Sequence, residues 1–113
     1  MKDYSKIPET MKRAVGLHYV HNVPIADLDL RREQKDNLQR VEYVYQMYLQ
    51  NPTEDFFPVF YEMAKGRYKD GFSEGAHNAH HFARRDELVF RYALDLLGME
   101  QPPEHIPLNL PSK

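Results

Sequence analysis

Apolar residues recur along this chain at spacings of three and four, the period of an amphipathic helix, and no stretch alternates strictly enough to suggest a paired strand. Met11, Val15 and His18, with Ala14 and Leu17 beside them, form a first stripe. Its helix is expected to begin near Pro8, since proline suits a first turn and Glu9 favours the positive end of the helix, with Ser5 just upstream. It should stop near Asn22, before Val23-Pro24 forces an extended connection in which Val23, Ile25, Leu28 and Leu30 lie on the core.

A second helix is predicted from Arg31 to about Gln50, capped by Asp27 or Asp29. Its first half is polar, whereas Leu38, Val41, Tyr45 and Tyr48, with Val44 alongside, make the second half the buried one. Asn51-Pro52 ends it, and Thr53 or Asp55 caps a third helix that tolerates Pro58 early and turns Phe56, Phe60, Met63 and Ala64 inward. Gly66 and Gly71 bracket a reversal, Ser73 starts a fourth helix, and helical period continues through Phe82, Ala83, Val89, Phe90, Ala93, Leu96 and Leu97. Within it Arg84-Arg85-Asp86 reads as a break, with Asp86 as a new cap, and Gly98 is the stop.

Four prolines after Met99 rule out a further helix. The expected architecture is therefore all-α: a compact bundle of four or five helices over residues 1–98, with an extended Pro-rich C-terminal tail over 99–113. Ile106, Leu108 and Leu110 alternate in that tail, the pattern of a strap laid over the bundle or, as the second choice, of a short peptide presented to a partner.

Composition narrows the chemistry more than it names it. The 113 residues suit one core, and 42% hydrophobic with 28% charged residues is the balance of a folded domain. A formal charge of −2 supplies no general attraction to phosphate or anionic lipid. No apolar run has the roughly 20 residues that span a bilayer, and the N-terminus lacks a secretion signal, so a cytoplasmic protein without a membrane partner is expected. The absence of cysteine excludes thiolate metal sites and cysteine nucleophiles.

Four functional readings remain. Glu74, His77 and His81 share a helical spacing that can hold a metal, yet the carboxylate-bridged pattern needs a second Glu-x-x-His, and the chain offers only His18-x-x-His21. No metal and no cofactor is therefore assigned. Helix, proline-containing connection and second helix together resemble the layout of a helix-turn-helix, with Arg31, Arg32, Gln34, Lys35, Asn37 and Arg40 as base readers, but Asp27, Asp29, Glu33 and Asp36 crowd that surface. An enzyme would need a phosphate loop, a nucleophile elbow or a metalloprotease helix, and none is present.

The preferred reading is a non-enzymatic protein-binding module, a small regulator, adaptor or inhibitor of the kind phages and mobile elements encode, with nucleic acid ranked second as a partner. Its support is eight Tyr and six Phe, more aromatic surface than the buried stripes absorb. Gln39, Arg40 and Tyr43 on the second helix, and Arg67, Tyr68 and Lys69 in the turn, are the candidate contacts, and such a surface would serve a homodimer as well as a foreign protein.

Overall fold

In the computed structural model, residues 3–67 and 73–105 are described, with side chains except those of residues 67 and 73–77. The element order is α1 (Glu9–Tyr19), a 3₁₀ turn (Ile25–Asp27), α2 (Arg32–Gln50), α3 (Phe57–Arg67) and α4 (Ser73–Leu96). The fold is all-helical, with no strand among the described residues. α4 is the organising element and packs against α1, α2 and α3.

The stripes explain the packing. α1 buries Met11, Ala14 and Val15, and α2 buries Leu38, Val41, Val44 and Tyr48, the residues that repeat every three or four positions. Leu17 is 37% exposed because it lies a further step round the helix from Ala14, beyond the edge of the stripe. Phe56, Phe57, Phe60, Ala64, Ala83, Phe90, Ala93 and Leu94 complete the interior. Aromatic edges bind its centre: the rings of Tyr48, Phe56 and Phe90 lie about 6 Å apart in T-shaped pairs, and Phe60 meets Phe90 at 5.7 Å.

Helix ends depart from expectation in two places. Neither Asp27 nor Asp29 caps α2; the N-cap is Arg31, whose backbone N–H donates to Gln34 Oε1 at 3.2 Å. The 3₁₀ turn and the extended backbone at Leu28 hold both aspartates too far upstream. Second, α4 runs through Arg84-Arg85-Asp86 without a break. Asp86 is no cap but a fully buried mid-helix residue, because α2 supplies it with partners. Elsewhere the turn chemistry is as read: Asp55 Oδ1 accepts the Phe57 N–H at 3.0 Å, and Gly98 takes the left-handed conformation at φ +67° that ends α4, with the Met99 N–H returning to Leu94 O at 2.9 Å.

Residues 99–105 continue over the bundle. Tyr48 donates its hydroxyl to Glu100 O, Arg91 reaches the carbonyls of Pro102 and Pro103, and the His105 ring lies 4.5 Å from Phe57 with Nδ1 2.7 Å from Asp55 Oδ2. Ile106, Leu108 and Leu110, which carry the alternating pattern, lie outside the described residues.

One buried group makes a local prediction. The Tyr19 hydroxyl is buried without a hydrogen-bond partner among the described residues, and burial first, then the Glu42 carboxylate, pushes its pKa well above the ordinary tyrosine value. The folded protein then holds the Tyr19 proton where the unfolded chain gives it up, so this contribution is intact below about pH 10 and is lost as pH rises further. Tyr19→Phe removes an unsatisfied group while keeping the ring contact with Tyr45 at 5.0 Å. It should leave stability unchanged or raise it by about 1 kcal/mol, and flatten the alkaline fall, in urea melts between neutral pH and about pH 11.

Candidate functional site

An open cleft of about 840 Å³ lies between the N-terminal segment with the start of α1, the first half of α2 and the middle of α4. Helical geometry builds its floor. Phe82, Asp86 and Val89 are spaced i, i+4 and i+7 and so share the face of α4 turned towards α2. From α2, Arg40 grips Asp86 with two bonds, Nε to Oδ2 at 2.7 Å and Nη2 to Oδ1 at 3.2 Å, and Asn37 Nδ2 also donates to Oδ1. Asp86 is 0% exposed, so this forked, hydrogen-bonded geometry is what keeps a carboxylate in the interior. The Arg40 guanidinium also lies 6.0 Å from the Phe82 ring centroid.

A second buried cation sits beside it. Arg91 is 2% exposed; its Nη1 donates to Gln101 Oε1 at 2.9 Å and Pro102 O at 3.0 Å, and its Nη2 to Glu87 Oε2 at 3.3 Å and Pro103 O at 3.0 Å. Gln101 answers with bonds to Arg91 O at 2.9 Å and Asp95 Oδ1 at 2.7 Å. Tyr4 donates to the same Asp95, and burial, then that bond, raises its pKa. Arg91 thus joins the floor of the cleft to the strap formed by residues 99–105.

The rim carries the net charge. Six cationic side chains line the cleft, Lys6, Arg31, Arg40, Arg84, Arg85 and Arg91, against the carboxylates Asp3, Glu33, Asp86 and Glu87. Arg40 is committed to Asp86 and Arg91 to Glu87. Asp3 is turned to its own backbone, accepting the Ser5 N–H at 3.0 Å, and this bond holds its carboxyl below the usual range. Lys6, Arg31, Arg84 and Arg85 are exposed, and none has a carboxylate at ion-pair distance among the described residues.

The residues singled out in the sequence fall in different places. Of the six base-reader candidates, Asn37 and Arg40 hold Asp86, Lys35 Nζ donates to Ala26 O at 3.0 Å, and Gln34 caps its own helix. Arg31 and Arg32 are exposed at the start of α2. Among the candidate protein contacts, Tyr43 is 58% exposed and Gln39 is exposed, whereas Arg40 is drawn into the floor. Tyr68 and Lys69 lie outside the described residues, as does the Arg67 side chain.

Of the metal candidates, Glu74 and His77 also have side chains outside the description, and His81 is exposed at the cleft. Among the described residues no three His, Asp or Glu side chains are grouped to hold a metal ion. His18 has both ring nitrogens engaged, Nδ1 2.8 Å from Val23 O and Nε2 3.2 Å from Glu42 Oε1.

Lys6, Arg84 and Arg85 were not among the contact candidates: the sequence marked Arg84 and Arg85 only as part of an expected helix break, and Lys6 only as part of a polar N-terminus. No helix among the described residues is long and apolar enough to cross a membrane. Compared with known proteins, the chain matches no protein family, no curated protein and no solved structure.

Proposed function

We propose that this protein is a non-enzymatic binding module, a small regulator, adaptor or inhibitor, whose docking face for another protein is the cleft between α1, α2 and α4. The observation that carries the reading is the surplus of exposed, unneutralised cations around an open cleft in a chain whose formal charge is −2. Such a local excess steers a partner electrostatically, which the chain as a whole would not do. The floor beneath it is built from carboxylates already held by guanidinium groups, an arrangement that fixes shape and leaves the rim to do the recognising. Binding to DNA through α2 is the weaker reading, since four of its six candidate readers already bond within the fold.

The test is comparative capture from a lysate of the source cells. Wild-type protein, the double variant Arg84→Glu/Arg85→Glu and the control Arg13→Glu, an exposed residue of α1 outside the cleft, are immobilised side by side. A protein retained by wild type and Arg13→Glu, and reduced about tenfold or more with the cleft variant, is the expected result. Retention independent of Arg84 and Arg85 would overturn the docking face. Recovery of nucleic acid that depends on Arg31 and Arg32 would replace it with the DNA reading.

A further inference from the structure

The rim has a chemistry that selects its guest. Arg85 lies over the Phe82 ring at 5.7 Å and Arg84 over the Phe57 ring at 5.9 Å. A guanidinium resting on an aromatic face keeps its N–H edges available and gives up part of its rotamer freedom before any partner arrives. Both losses of entropy and desolvation on binding are then smaller than for a free lysine. The planar fork matches a carboxylate with two parallel bonds. Lys6 in the N-terminal segment and Arg31 at the start of α2 add cations from the other elements that line the cleft. Beside these charges the exposed Pro8 and the half-buried Phe82 and Leu88 offer apolar surface, over a base of the core residues Ile7, Met11 and Val89. The volume lies within the ~300–1,000 Å³ usual for ligand sites.

Resting on the binding-module reading above, we infer that the cleft takes an acidic segment of a partner protein, one in which an apolar side chain is flanked by aspartates or glutamates. The apolar residue goes against Pro8, Phe82 and Leu88, and the carboxylates go to Arg84 and Arg85 and to Lys6 and Arg31. A basic segment meets an excess of positive charge, the four exposed cations against Asp3 and Glu33, and is repelled. A neutral apolar segment gains the apolar surface but leaves the cations of the rim without partners.

The experiment uses the full chain and a fluorescein-labelled peptide with leucine and phenylalanine between two short blocks of glutamate, beside its glutamine counterpart and a labelled single-stranded oligothymidylate, read by anisotropy. Expected are binding of the glutamate peptide that weakens about tenfold or more between ~50 and ~300 mM NaCl, and a glutamine peptide about tenfold weaker at low salt. Arg84→Glu/Arg85→Glu, and separately Lys6→Glu/Arg31→Glu, should each weaken the glutamate peptide about tenfold or more while Arg13→Glu does not. Thermal melts confirm that each variant is folded.

Equal binding of the two peptides, absence of binding at low salt, or preference for the oligothymidylate overturns the inference. If the acidic peptide fails while a lysate protein still depends on Arg84 and Arg85, the acidic guest is wrong and the docking face stands. Failure of both removes both.

Discussion

Arg91→Ala should be one of the two most damaging substitutions of a charged side chain among the described residues, lowering stability by about 3–5 kcal/mol and the melting temperature by on the order of 15 °C or more. The reason is the number of groups that one guanidinium serves. Its removal leaves the Glu87 carboxylate, 8% exposed at the side chain, buried without its cation. It also strips the donors from Gln101 Oε1 and from the carbonyls of Pro102 and Pro103, and opens a void where a side chain only 2% exposed had been.

Arg91→Met separates these causes. Methionine refills much of the volume but donates nothing, so it recovers the cavity part alone. The double variant Glu87→Met/Arg91→Met no longer buries a lone carboxylate, and should be more stable than Arg91→Met despite carrying one more change. Strap release is read independently, by cleavage at the exposed Glu100 and Glu104 with a glutamate-specific protease, which should be about tenfold faster in Arg91→Ala. A melting temperature within a few degrees of wild type, with unchanged cleavage, would mean that Arg91 does not clamp residues 99–105 to α4.

The same side chain marks where sequence reading reaches its limit. Helical period located α1 to α4 because burial of an apolar stripe is a local, repetitive constraint: Met11 and Val15, Leu38 and Val41, Phe90 and Ala93 could be assigned to the interior without knowing their neighbours. Caps written in short-range chemistry, such as Asp55 and Gly98, were legible for the same reason. Charged residues in the interior were not, since whether a carboxylate is buried depends on which cation a distant helix brings. Asp86 and its partner Arg40 are 46 positions apart, and Arg91 draws on groups up to 12 positions further along the chain.

A signal was nevertheless present. Ala79, Ala83, Asp86, Phe90 and Ala93 follow one another at steps of four, three, four and three, so Asp86 occupies a place on the apolar stripe of α4 itself. A charge in such a place implies either a break or a buried partner. The structure supplies the partner, and with it the floor of the cleft. The cleft was not legible for a related reason: Gln39 and Tyr43, chosen from α2 alone, are exposed but do not line it, whereas Lys6, Arg31, Arg84 and Arg85 become one rim only once three segments are brought together.

Asp86→Ala should cost about 3–5 kcal/mol, close to the loss at Arg91. The substitution leaves the Arg40 guanidinium, 14% exposed at the side chain, without its counter-charge, and takes the acceptor away from Asn37 as well. Asp86→Asn is the informative companion. It keeps the shape and one acceptor oxygen but turns an amide NH2 towards donors on Arg40 and Asn37, so a smaller loss of about 1–3 kcal/mol is expected from the unpaired donors. Combining Asp86→Leu with Arg40→Met and Asn37→Leu replaces the whole polar group by apolar side chains and should recover much of the stability, because an ion pair removed entire leaves no orphan charge. That recovery separates stability from binding. With its polar floor gone, the triple variant is expected to keep most of the wild-type stability in urea melts yet to hold the glutamate peptide less tightly, since Arg40 no longer fixes the α2 wall against Phe82 of α4. Undiminished affinity in a stable triple variant would show that Arg40 and Asp86 shape the interior without positioning the rim.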